Sequence, residues 1–148
     1  MAADVRIKRI YDQASPEDGA RVLVDRVWPR GVTKEAAALT VWLKEIAPST
    51  ALRKWFGHEP ARFAEFRRRY LDEIRANAPA AERLRSYVED GRVTLLYGAH
   101  DPAHNNAVVL ADYVRDLLEP HGQRGSLLGD PARPDPVDQQ ARASSGLV

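Results

Sequence analysis

The sequence predicts an α/β fold: a small, mostly parallel sheet flanked by helices in three layers. Three observations predict it. Short apolar or alternating runs occur at Val5–Ile10, Ala20–Val24 and Arg92–Tyr97, helical periodicity fills the stretches between and after them, and turn residues mark the junctions. A chain of 148 residues with 44% hydrophobic content is long enough for one domain with its own core.

Val5–Ile10 alternates apolar and basic residues, the pattern of a half-buried strand. Turn chemistry at Ser15–Gly19 precedes the β-branched run Ala20–Val24, which ends where Pro29 and Gly31 force a loop. Thr33 is placed to cap one helical stretch, and Thr40 a second running through Trp42, Leu43 and Ile46 to Pro48. Ser49 caps a short helix through Leu52, Trp55 and Phe56, with Gly57 as its left-handed terminator. Pro60 suits a first helical position, and Phe63, Phe66, Tyr70, Leu71 and Ile74 then form one apolar stripe. Pro79 opens another helix, which Gly91 closes. Arg92–Tyr97 is the most apolar strand, Gly98–His104 its exit loop, and a helix from about Asn105 ends at Pro120. Residues 1–120 are therefore read as the α/β domain. Residues 121–148, rich in Gly, Pro, Ser, Asp and Gln without periodicity, read as a disordered, flexible tail.

Composition excludes several classes of function. Cysteine is absent, which removes disulfide frameworks, cysteine-ligated zinc, iron–sulfur clusters and thiol nucleophiles. The first residues lack the apolar core of a signal peptide and no run approaches a membrane span, so a cytoplasmic protein with no membrane partner is expected. A net charge of +1 gives little bulk attraction to polyanions, and nucleic acid is the least favoured partner. Arginine outnumbers lysine 18 to 4, a bias that suits planar anions and equally suits a GC-rich genome. Glycine-rich dinucleotide loops, Walker loops, nucleophile elbows and HExxH motifs do not occur.

In parallel α/β sheets ligands bind at the carboxyl ends of the strands, in the loops that follow. Two such loops carry unusual polar content. In Asp25–Gly31, Arg26 and Arg30 lie four apart across a rigid Trp28-Pro29 unit, so both guanidinium groups are candidates to clamp one phosphate or carboxylate, with Asp25 orienting them and Trp28 walling the site. The competing reading is an Asp25–Arg26 ion pair with Trp28 packed on the core edge. The second loop offers Tyr97, Asp101 and Asn105 before a helix whose first turn presents free N–H groups to an anion. Asp101 or Asn105 is expected to cap that helix, and Asp101 is also a candidate general base. His100 and His104 have an i, i+4 spacing, but Pro102 interrupts any regular helix there and no third ligand is evident, so neither a metal nor another cofactor is expected. From the Trp42–His58 segment, Arg53 is a candidate ligand-binding residue and His58 a candidate acid/base, against a simpler role at the surface or as a helix cap. The run Arg67–Arg69 has Glu65, Asp72 and Glu73 beside it, as a solvated helix face does.

The blocks Asp25-Arg-Val-Trp-Pro-Arg-Gly31 and Val93-Thr-Leu-Leu-Tyr97, with Trp42-Leu43, Ala47-Pro-Ser49, Leu52-Arg53, Trp55-Phe56, His58, Asp101 and His104-Asn-Asn-Ala107, occur in an order that resembles the YeaO-like proteins, the domain of unknown function 488. The resemblance spans residues 5–118. It implies a small cytoplasmic α/β protein and supplies no reaction. Where that family usually has lysine this chain has His100, and where it often has histidine this chain has Asn106, so roles resting on those side chains do not carry over. The expectation is an arginine-lined cleft for a small phosphorylated or carboxylated ligand, in an enzyme of unknown reaction or in a non-catalytic interaction or regulatory module docking through Trp42–Phe56. The oligomeric state is not specified.

Overall fold

The computed structural model of the protein describes residues 3–118; the segment read as a tail, 121–148, lies outside the described residues. Strands β1 (Val5–Arg9), β2 (Ala20–Leu23), β3 (Val41–Trp42) and β4 (Val93–Tyr97) form a four-stranded, wholly parallel sheet in the order β1-β4-β2-β3. The most apolar strand is thus flanked on both sides, and all five of its residues are buried, as a central parallel strand requires. Helices α1 (Lys34–Ala37), α2 (Thr50–Phe56), α3 (Phe63–Ala76), α4 (Ala78–Glu89) and α5 (Asn106–Leu118) complete the α/β architecture.

Alternation along the strands divides the interior in two. Val22, Val24, Val93, Leu95 and Tyr97 face the larger core, which α2 to α5 fill with Phe66, Tyr70, Ile74, Leu84 and Leu110 among others. Leu23, Leu96 and Ile10 face a smaller one. Helix α1 supplies only Ala37 there, and Trp28, Val32, Leu39 and Trp42 finish the cover. This thinner face also holds a polar group: Asp18 accepts hydrogen bonds from Lys8 (3.1 Å) and Arg21. Arg21 in turn donates through Nε and Nη2 to the carbonyl of Ala37 (3.0 and 2.8 Å), which ties α1 to the sheet. Every charge in this cluster is paired, so burying it is tolerable.

Local signals place most of the remaining elements. Thr33 and Ser49 cap α1 and α2 through Ala36 N–H (3.0 Å) and Leu52 N–H (3.1 Å), and Gly57 ends α2 at φ 55°. The helix expected from Thr40 through Ile46 does not form. Thr40 N–H donates to Arg21 C=O (2.8 Å) and Leu43 N–H to Leu23 C=O (2.9 Å), so Val41 and Trp42 extend the sheet and only Lys44–Ile46 turns, as a 3-10 helix. The open edge of β2 outcompeted a weak helical pattern that Pro48 had already cut short. Among the described residues no helix is long and apolar enough to cross a membrane.

The register carries a functional consequence. Arg9 pairs with Tyr97 and Leu23 with Leu96, so β1, β2 and β4 end at one rim and their exit loops meet there.

At Gly19 the entry to β2 needs glycine: φ is 67°, and a Cβ would lie 2.4 Å from the carbonyl oxygen of Arg92. Gly19→Ala is therefore expected to lower unfolding free energy by about 2–4 kcal/mol, read as a lower urea midpoint; an unchanged midpoint would contradict the packing of β2 on β4.

Candidate functional site

Asp25, just after β2, joins the two exit loops. Its Oδ2 accepts the Gly98 N–H (2.9 Å) and its Oδ1 accepts from Asn106 Nδ2 (3.1 Å), which also donates to Val24 C=O (3.0 Å). A Cβ on residue 98 would sit 3.2 Å from Asp25 Oδ2, so the glycine gives the carboxylate room to reach the backbone. Trp42 donates its indole N–H to Asp25 C=O (2.7 Å). Burial pushes the Asp25 carboxyl above its ordinary value, and Asn106, the Gly98 amide, Arg53 and His58 oppose that only in part.

The Asp25–Arg26 ion pair of the competing reading does not form. Arg26 instead donates through Nε to Pro48 C=O (3.1 Å) and through Nη2 to Ala47 C=O (3.2 Å), pinning the segment that leads into α2. Arg30 is exposed and outside the cavity described below, and its carbonyl accepts from the Tyr11 hydroxyl (2.9 Å). Arg26 and Arg30 thus do not converge there. Arg53, from α2, shares the cavity with Arg26 instead. Trp28 lies at the same place, its indole N–H on Val32 C=O (2.8 Å) and its ring edge-on to Trp42 at 5.4 Å.

In the second loop Asp101 Oδ1 accepts the N–H groups of Ala103 (2.8 Å) and His104 (3.2 Å), and Oδ2 meets His104 Nδ1 at 2.8 Å. Hydrogen bonding from Ala103 and then His104 holds this carboxyl below its ordinary value. The His104 ring stands edge-to-face on Phe63, 5.1 Å between centroids. Asn105, rather than Asp101, caps α5: its Oδ1 accepts the Val108 N–H (3.0 Å) and its Nδ2 donates to Asp101 C=O (2.9 Å). Tyr97 is in the larger core and not in the cavity lining; burial raises its phenol. His58 lines the same cavity with φ 59°, an uncommon conformation for a non-glycine residue.

These loops and α2 enclose a cavity of about 530 Å³. Phe56 and Phe66, stacked at 4.4 Å, form its apolar wall with Trp28 and Pro48. Arg26, Arg53, Asp25 and Asp101 supply charged groups to the lining, and His58, His100 and His104 line it as well. Among the described residues neither arginine has a salt-bridge partner, Arg53 acting on Asp25 only at longer range. The lining has no serine, threonine, lysine or tyrosine, and among the described residues no three His, Asp or Glu side chains are grouped to hold a metal ion. The sequence reading gives Gly98 no role, considers His104 only for its spacing from His100 and Asn106 only as a departure from the family pattern, and no motif signals that an asparagine one residue beyond the cap binds the other loop.

Residues 4–131 match the family described as DUF488-N3i, the inactive DUF488-N3 subclade. The chain belongs to this DUF488 family. The DUF488 chain is 46% identical over 114 residues to the uncharacterized protein YeaO of Escherichia coli K12, an alignment covering 77% of this chain and 99% of that protein. It is 43% identical over 107 residues to the uncharacterized protein Rv3073c of Mycobacterium tuberculosis H37Rv, covering 72% and 90% respectively. No solved structure matches it.

Two aspartates on one cavity thus have displaced titrations of opposite sign. Because folding raises the Asp25 value, its contribution to stability is present below the unfolded pKa and is lost as pH rises through the folded one. Carboxyl NMR titration is expected to place Asp25 above, and Asp101 below, the ordinary aspartate value of about 3.9; midpoints in the reverse order would refute the described environments.

Proposed function

We propose that this DUF488 domain is a cytoplasmic binding module that holds a small organic anion in the cavity at the carboxyl ends of β2 and β4. The observation that carries the reading is the pair of arginines, Arg26 and Arg53, which line one cavity without salt bridges to the described residues. A guanidinium beside a partly apolar hollow is a strong site for a carboxylate or phosphate, because the low surrounding dielectric strengthens a charge-assisted hydrogen bond. Arg26 uses Nε and Nη2 on the Pro48 and Ala47 carbonyls, which fixes its plane, and Nη1 has no hydrogen bond to the described residues. Helix α5, 13 residues long, starts at the cavity and adds the positive end of its dipole.

Size and wall chemistry restrict the ligand further. A cavity of about 530 Å³ is in the range of pockets that hold whole organic molecules, and far exceeds a bare inorganic anion. The Phe56, Phe66 and Trp28 walls suit an apolar or planar body. Binding is favoured over catalysis by the description of the subclade as inactive and by a lining without a hydroxyl or amine nucleophile. Asp101 and His58 then shape the site and do not react.

The rival surfaces have less to support them. Trp42 and Phe56, the ends of the segment considered for protein docking, pack on Trp28 and on Phe66. Arg67 pairs with Asp112, and Arg68 and Arg69 share Glu65, so the basic run offers little uncompensated charge to nucleic acid.

Titration calorimetry with aromatic carboxylates and phosphate monoesters tests the proposal. Arg53 is exposed, so Arg53→Gln leaves the fold intact; it is expected to weaken binding about 10-fold or more, the scale of roughly 1.5–3 kcal/mol for a hydrogen bond to a charged group. Equal affinities for wild type and variant would remove the arginine site. Quenching of Trp28 fluorescence is the expected accompanying signal.

A further inference from the structure

Two aspartates border the sheet, and they are treated differently by the fold. Asp18 is matched by Lys8 and Arg21, so its charge is neutralised on the spot. Asp25 receives only two neutral donors, the Gly98 amide and the Asn106 side chain, and among the described residues no salt bridge. A largely buried carboxylate without a counter-ion costs stability, and the fold does not need it charged to make two hydrogen bonds. Each carboxylate oxygen has two acceptor positions, and each oxygen of Asp25 uses one on the protein. The remaining acceptor capacity belongs to a group that also lines the cavity.

The charges of the lining give the same indication. Asp101 is committed to His104 and to two backbone N–H groups of its own loop. With the histidines neutral, Arg26 and Arg53 are matched in number by Asp25 and Asp101, so the lining carries no formal surplus of either sign. A dianion such as a phosphate monoester therefore leaves two negative charges uncompensated and sets them beside the Asp25 carboxylate. A monoanion adds only one, and if it carries a donor it also satisfies Asp25.

Resting on the anion-binding reading above, we infer that the ligand is an organic monoanion with an O–H donor adjacent to its acidic group and an apolar body, as in a 2-hydroxy carboxylate. The carboxylate meets Arg53 and Nη1 of Arg26, the donor meets Asp25, and the body lies against Phe56 and Phe66. Asp25 is then the residue that selects among anions, while the arginines attract them. Gly98 and Asn106 act as positioning residues, since they fix the direction in which the free lone pairs of Asp25 point.

Calorimetry with three probes of shared skeleton tests this: phenylacetate, mandelate, which adds one hydroxyl beside the carboxylate, and phenyl phosphate, the dianion. Mandelate is expected to bind about 10-fold more tightly than phenylacetate, as an extra hydrogen bond to a charged acceptor implies, and phenyl phosphate more weakly than mandelate. In Asp25→Asn the preference for mandelate over phenylacetate is expected to shrink to less than about twofold, again because the charged acceptor is gone. Should that variant fail to fold, the comparison among probes on the wild type decides alone. Equal binding of phenylacetate and mandelate, both weakened by Arg53→Gln, would overturn the donor-bearing monoanion and leave the arginine site standing. Tighter binding of phenyl phosphate than of mandelate would overturn it as well. Absence of binding by all three probes would overturn both readings.

Discussion

The convergence of two exit loops on the Asp25 carboxylate is the constraint on which the site depends. β2 and β4 are neighbours in the sheet, but strand pairing alone only brings their ends close. Asp25, reaching Gly98 N–H on one oxygen and Asn106 on the other, fixes how the loop after β2 sits against the loop after β4 and against the start of α5. Asn106 contributes by donating from one nitrogen to both Val24 C=O and Asp25. The cavity wall follows from this placement: Arg26 is directed at the Ala47 and Pro48 carbonyls, and that contact sets the entry into α2 and so the position of Arg53. The fastening is made with an ionisable group whose burial opposes its charge, which is an uneconomical way to hold two loops together unless the group also faces a ligand.

The two faces of the sheet divide the work. The larger core, with three long helices, provides rigidity: Tyr70, fully buried, reaches Ile46 C=O with its hydroxyl, and Glu73 of α3 binds both the amide and the hydroxyl of Ser49 (2.8 and 2.7 Å), so α2 is held at its first turn. The thinner face has little helix to spend and closes with aromatic side chains. Trp28 and Trp42, packed edge to face, cover it while their indole N–H groups hold loop carbonyls. One layer positions the arginines and the other positions Asp25 and Trp28.

Much of the fold was legible in the residues because periodicity and caps are local signals. The all-apolar run Val93–Tyr97 announced a central parallel strand, and Thr33, Ser49 and Gly57 announced helix ends that the structure reproduces. Val41-Trp42 reads as helix in the sequence and is a strand in the structure, because a two-residue edge strand has no periodicity of its own and exists only where β2 offers its edge. At the site, the two loops followed from the rule that strand ends carry ligands, but side-chain partners did not. Arg30 sits in the same motif as Arg26, and spacing alone could not show that it stays outside the cavity while Arg53, from a different helix, reaches it. Tyr97 likewise belongs to the alternation of β4 and faces the core. The bond from Asn106 to Asp25 joins segments 81 positions apart, and no local pattern encodes it.

The strand order has a consequence for how the chain is made. Among the described residues β1 pairs only with β4, Val5 against Val93, and β4 also separates β1 from β2. During synthesis β1 therefore leaves the ribosome with no strand to pair with and waits for most of the domain to follow, while β2 and β3 can find only each other. Val93–Tyr97 has to take its place between β1 and β2 before the sheet is complete, and pairings so distant in sequence raise the contact order, which across small domains goes with slower folding. Arg6 and Lys8 place charge along β1, which guards that strand against pairing with another chain both before β4 arrives and afterwards, as the edge of the sheet.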